Sequence, residues 1–173
     1  KVVEAKDASY AGKTFPVSGW ASEGEGLTPF ERFLIAFQAD GSFQGGEYRN
    51  GNRCGTITAT FTFKKQRKIE RFEALLRVIQ FDYSKSEIDN RGRFTYRVRV
   101  PLAYQLSKTL DWVNLDKSST WASEFIQELG HWDGHMVRNG NGSIVYTSTV
   151  KANTDVVQGL AALCGYSTKY HRR

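Results

Sequence analysis

Cysteine is nearly absent: Cys54 and Cys164 are the two in 173 residues. Two such residues make neither a disulfide framework nor a zinc-ligand spacing, and they fit a reducing, intracellular compartment. No run approaches the ~18 consecutive apolar residues of a membrane-spanning helix, so no membrane partner is expected. The opening residues, Lys1-Val2-Val3-Glu4-Ala5-Lys6-Asp7, lack the apolar stretch of a signal peptide. Acids are in the minority, 18 Asp and Glu against 24 Lys and Arg, which leaves a net charge of +6. An excess of that size points to an acidic partner only where the charge is gathered. Apolar side chains are plentiful: 40% hydrophobic residues, with aromatics making up 13% of the chain, exclude wholesale disorder. The length suits one domain, or two small halves around a shared core.

The charge is gathered in three places. Lys64, Lys65, Arg67, Lys68, Arg71 and Arg77 form one cluster, Arg91, Arg93, Arg97 and Arg99 a second, and Lys169, His171, Arg172 and Arg173 a third. Any one of them reads equally as a solvated face. The second has strand spacing. Arg93, Thr95, Arg97 and Arg99 alternate with Phe94, Tyr96, Val98 and Val100, which predicts one cationic and one buried face. Thr56, Thr58, Thr60 and Thr62 alternate in the same way with Ile57, Ala59, Phe61 and Phe63. Such strands fit an ordinary half-exposed antiparallel sheet. They also fit the DNA major groove, where Arg forks meet guanine and Thr meets a base edge or a thymine methyl.

The order of elements repeats. Thr28 caps a helix that Pro29 opens and Asp40-Gly41 ends. A hairpin around Asn50-Gly51-Asn52, a helix near 66–80, strands near 81–87 and 93–100, and a short helix from Pro101 to about 110 follow. Then Ser118-Ser119-Thr120 caps a helix near 119–132 that stops at Asp133-Gly134. A hairpin around Asn139-Gly140-Asn141-Gly142 and a helix near 151–164, closed by Gly165, complete the second run. Residues 1–28 read as an irregular lead-in, 29–118 as a first repeat and 119–173 as a second that stops where its second hairpin is due.

Asp40 and Asp133 occupy matching places in that repeat. A carboxylate at a helix C-terminus adds to the negative end of the helix dipole, so a cation is needed there. A carboxylate with free carbonyls is a hard-oxygen donor set suited to Mg²⁺. Two such ends side by side could hold metal on a phosphodiester.

The run Phe33-Leu34-Ile35-Ala36-Phe37-Gln38-Ala39-Asp40-Gly41 resembles the signature helix of LAGLIDADG homing endonucleases. Leu110–Leu115, Phe125–Gly134 and Tyr146–Tyr166 resemble the second signature and the strand–helix after it, in the form found in the endonuclease part of inteins. The resemblance covers roughly residues 27–170. It implies an α+β fold: a pseudo-twofold repeat of αββαββα units whose antiparallel sheets form a DNA-binding saddle, with the second repeat incomplete. It implies Mg²⁺-dependent cleavage of double-stranded DNA at a long site, with Ca²⁺ or Mn²⁺ able to substitute for binding. It makes Asp40 and Asp133 the metal-binding acids and Lys151 and Lys65 assisting bases, Lys65 being equally a plain backbone contact. Arg93, Arg97, Arg99, Thr58, Thr60 and Thr62 match the DNA-facing side.

The sequence departs from that family at Ile35 and Glu128, where small residues are frequent, and at Gln38 and His131, where a second acid is frequent. Lys1 and Arg173 are not splicing residues, so a free-standing or excised endonuclease part is expected. A second polypeptide is expected to complete the shortened repeat. The alternatives are a catalytically silent DNA- or RNA-binding module of the same fold, such as a maturase or transcription regulator, and a generic RNA-binding domain. The last would put stacking aromatics on the sheet's open face.

Overall fold

Thr28 begins the first helix by a reciprocal cap. Its hydroxyl accepts the Glu31 backbone N–H at 3.2 Å, and its own N–H donates to the Glu31 carboxylate at 2.8 Å. The helix α1 (Pro29–Asp40) then runs to Gly41. The computed structural model describes residues 23–44, 56–89, 92–136 and 144–168. Strands β1 (Gly41–Gln44) and β2 (Thr56–Phe63) pair antiparallel, α2 (Gln66–Ile79) follows, and β3 (Tyr83–Asp89) and β4 (Arg93–Pro101) form a second antiparallel pair. The four strands make one sheet in the order β1-β2-β4-β3. After an irregular stretch come α3 (Ser119–Trp132), a two-stranded sheet of β5 (Gly134–Met136) and β6 (Ile144–Tyr146), and α4 (Lys151–Leu163). The fold is mixed, with antiparallel sheets and four helices among the described residues.

The core lies between the sheet and the helices. Phe33 and Phe37 of α1 meet Phe61 and Phe63 of β2, Phe72 of α2, Tyr96 of β4 and Trp132 of α3, all at most 3% exposed. Ring centroids of 4.4 Å for Phe61–Phe72 and 5.3 Å for Phe72–Tyr96 mark a continuous aromatic mesh. Both α1 and α3 are covered nearly all round.

Local chemistry accounts for most boundaries. Ser118 caps α3 by accepting the Trp121 N–H at 3.1 Å. Gly165, at φ +75°, closes α4. The Tyr166 N–H reaches back to the Ala161 carbonyl at 2.8 Å, and the Gly165 N–H to Ala162 at 3.0 Å. The short helix expected after Pro101 does not form: residues 102–118 carry no helix. There the Ser107 hydroxyl accepts the Thr109 N–H at 3.1 Å and donates to Asp111 at 2.9 Å, local bonds that compete with helical ones.

Several expected features lie outside the described residues. They are the lead-in before residue 23, Cys54, the turns around Asn50-Gly51-Asn52 and Asn139-Gly140-Asn141-Gly142, and the basic cluster Lys169, His171, Arg172 and Arg173. No helix among the described residues is long and apolar enough to cross a membrane.

Candidate functional site

Two surfaces were singled out by sequence, and the structure builds both from neighbouring elements. The first is the junction of the α1 and α3 C-termini. Helix α1 packs along α3, and Asp40 and Asp133 end them close enough that the Asp40 charge acts on the Asp133 carboxyl. Burial, then Asp40, pushes the Asp133 carboxyl above the ordinary aspartate value; the Lys68 and Lys108 ammonium groups offset part of that rise. Lys68 makes an ion pair with Asp40.

Lys108 lies on the α1 terminus itself. Its Nζ donates to the carbonyls of Phe37 at 2.9 Å, Gln38 at 2.6 Å and Gly41 at 2.8 Å. At the α3 terminus Arg67 donates to the His131 carbonyl at 2.7 Å. The cation demanded by each helix end is therefore met by protein side chains. Burial holds the Lys108 ammonium below the ordinary lysine value, against the pull of Asp133 and Asp40. Among the described residues, no group of three or more His, Cys, Asp or Glu side chains could hold a metal ion. Lys65 is the N-cap of α2, and Lys151, at the start of α4, pairs with Asp155 at 2.5 Å on the surface. His131 is exposed at the last turn of α3.

One turn back from Asp133, Glu128 is 1% exposed. Its carboxylate accepts from Arg32 Nη1 at 2.8 Å, Arg71 Nε at 2.9 Å and Nη2 at 2.5 Å, and Trp132 Nε1 at 2.8 Å. Burial alone would raise its pKa. The bonds from Arg71, Trp132 and Arg32 outweigh burial and leave it below the ordinary glutamate value. The first basic cluster is thus not simply a solvated face. Lys68 and Arg71 reach the acids of α1 and α3, and the exposed Arg67 holds the α3 end, so the three fasten α2 to α1 and α3, a role that spacing alone did not reveal.

The second surface is the open face of the four-stranded sheet. The register sets Thr58 opposite Arg99, Thr60 opposite Arg97 and Thr62 opposite Thr95. Arg93, Arg97 and Arg99 are exposed, Thr62 is exposed, and Thr58 and Thr60 are half-buried. The alternation holds except at Thr95, which is 8% exposed. Its hydroxyl lies 3.2 Å from that of Thr62, because on a central strand a short side chain is walled in by both neighbours. Phe61, Phe63, Tyr96, Val98 and Val100 face the core, so these aromatics offer no stacking platform. Between β2, β3 and β4 the face dips into a pocket of about 420 Å³ lined by Thr58, Asp82, Tyr83, Ser84, Arg97 and Arg99.

No protein-family model matches the sequence. One relative decides against the earlier resemblance. Ribonucleoside-diphosphate reductase subunit beta of Aquifex aeolicus (strain VF5) is 37% identical over 153 residues, covering 84% of this chain and 22% of that protein. The chain thus spans about a fifth of the length of the curated relative it matches. That name is a reductase subunit's, so the reading as a LAGLIDADG homing endonuclease of the intein type is corrected. With it go the assignment as a Mg²⁺-dependent DNA-cleaving hydrolase and a mobile genetic element, and the maturase or regulator alternative. Mg²⁺, with Ca²⁺ or Mn²⁺ as stand-ins, loses its basis. The physical argument for it is also answered by the geometry: Lys108 holds the α1 carbonyls proposed as metal ligands, and Lys68 holds Asp40.

Proposed function

We propose that this chain is a segment of a longer polypeptide of the ribonucleoside-diphosphate reductase subunit beta kind, and that its four-stranded sheet is a phosphate-binding face of that polypeptide. The similarity over 84% of the chain supports the first half. Reduction of ribonucleoside diphosphates is proposed for the longer polypeptide as a whole, inside the cell. The second half rests on one observation: Arg97 and Arg99 stand exposed two residues apart on β4, each facing a threonine of β2 across the ladder. Guanidinium forks of this kind bind phosphate oxygens in pairs, and hydroxyls add single bonds. Double-stranded DNA is the partner proposed for this face. The strands that would extend β5–β6 into a matching second sheet, in a pseudo-twofold α+β arrangement, come from the rest of the polypeptide or from a second one.

Fluorescence anisotropy of a labelled DNA duplex tests the partner, with ribonucleoside diphosphate as competitor. Binding that resists the nucleotide supports DNA. Full displacement by stoichiometric nucleotide would assign the face to the nucleotide instead. Sequencing the messenger RNA around residues 1–173 tests the segment: a reading frame continuing into reductase subunit sequence is expected.

A further inference from the structure

The pocket in the sheet face sets one acid among its cations. Arg97 and Arg99 line it as guanidinium groups, Asp82 as a carboxylate, and Thr58, Tyr83 and Ser84 as neutral groups. The strand register explains the meeting. Ser84 of β3 stands opposite Arg97 of β4. Asp82, two residues earlier, comes beside Arg99, whose N–H donates to the Asp82 carbonyl at 2.8 Å. Side chains two residues apart share a face, so the exposed Asp82 opens onto the same side as both arginines. Neighbouring strands lie about 5 Å apart, so a phosphate seated on Arg99 meets that carboxylate at close range. A carboxylate weakens any anion site, and it weakens the site more for an anion of higher charge. Two guanidinium groups and one carboxylate leave the pocket with a single positive charge. A backbone phosphodiester carries one negative charge, whereas a terminal phosphate carries up to about two near neutral pH.

We propose that Asp82 is a specificity-determining residue: it fits this pocket to the singly charged phosphodiester of the DNA backbone and sets it against the doubly charged terminal phosphate of a free nucleotide. The proposal rests on the phosphate-binding reading of the sheet and adds which phosphate the sheet takes. Arg97 and Arg99, with the hydroxyls of Thr58 and Ser84, attract both kinds of phosphate. Asp82 repels the dianion about twice as strongly as the monoanion, because Coulomb repulsion scales with the ligand's charge. Selection between the two is therefore built from one carboxylate placed by register, with no need for a pocket shaped to the rest of the nucleotide.

The test is direct binding, at one fixed salt concentration, of a labelled DNA duplex and of a labelled ribonucleoside diphosphate to the unaltered chain and to Asp82→Asn. Asp82→Asn is expected to tighten duplex binding by roughly 3-fold and diphosphate binding by roughly 10-fold, the second gain being about the square of the first. Equal gains, or none, would overturn the role given to Asp82 and leave the phosphate-binding sheet standing. So would an unaltered chain that binds the diphosphate more tightly than the duplex. Failure of both probes to bind either protein would overturn the sheet reading itself, and Asp82's role with it. Circular dichroism checks that the variant is folded, and Asp82→Ser carries the same comparison should Asp82→Asn not fold.

Discussion

Glu128 shows what a single side chain contributes. Its carboxylate is enclosed, yet it accepts from two arginines and an indole. Removing the charge from such a group strands its partners. Glu128→Gln should cost about 3 kcal/mol, the low end for breaking a buried pair, because Arg32 and Arg71 are still 31% and 36% exposed. Thermal melts measure the loss. Because the folded value of Glu128 is depressed, its stabilisation is complete above the ordinary glutamate pKa and disappears as pH falls through the folded value. Asp133 has the opposite sign. Its raised pKa means that the folded state holds the proton more tightly than the unfolded chain does, so stability falls as pH rises from the ordinary aspartate value through the raised one. That shift already includes both neighbouring ammonium groups. Asp133→Asn should therefore melt higher than the unaltered chain near about pH 7 and show no gain near about pH 3. A variant that melts lower at neutral pH would contradict the reading of Asp133 as an electrostatic burden.

Helix and strand boundaries that depend on neighbours in sequence were readable from sequence. Thr28, Pro29, Ser118 and Gly165 each act within four residues of themselves. The pairs that depend on register over long separations were not. Lys68 to Asp40, Arg71 to Glu128 and Lys108 to the α1 carbonyls join residues 28 to 71 positions apart. No spacing rule reaches that far, so a cluster of cations in α2 could be read only as a surface. Thr95 lies on the face that its alternation gave it, yet it is buried: alternation names a face, while burial depends on the side chains around it. The α1–β1 join offers a test at this scale. A Cβ on Gly41 would stand 2.3 Å from Phe37 Cδ2 and 2.7 Å from the Phe37 carbonyl oxygen, too close for either to yield freely. Gly41→Ala should cost roughly 1–3 kcal/mol by overpacking, read from chemical denaturation. A neutral outcome would mean that the helix end shifts more easily than its three carbonyl–Lys108 bonds suggest.

The molecule as a whole carries its positive charge in two ways. Part of it, in α2 and at Lys108, neutralises the acids and carbonyls where helices end. Another part, on β4, faces outward. Sequence reasoning read the outward part from period-two alternation and placed Asp40 and Asp133 at helix ends. It then supplied a metal for a charge that two lysines satisfy, and took apolar helices ending in Asp-Gly for a nuclease signature. Such helices arise wherever a central helix buried on most sides must stop at a turn. The account stands or falls on whether the outward arginines hold phosphate. The direct measurement is the salt dependence of duplex DNA affinity for the unaltered chain and for an Arg97→Ala, Arg99→Ala double variant. Each guanidinium that displaces a counterion steepens the slope of log K against log salt by about 0.9. The slope should shallow by roughly 2 in the double variant while the melting temperature holds. An unchanged slope, with affinity falling no more than after removal of two lysines elsewhere, would contradict a phosphate-binding sheet.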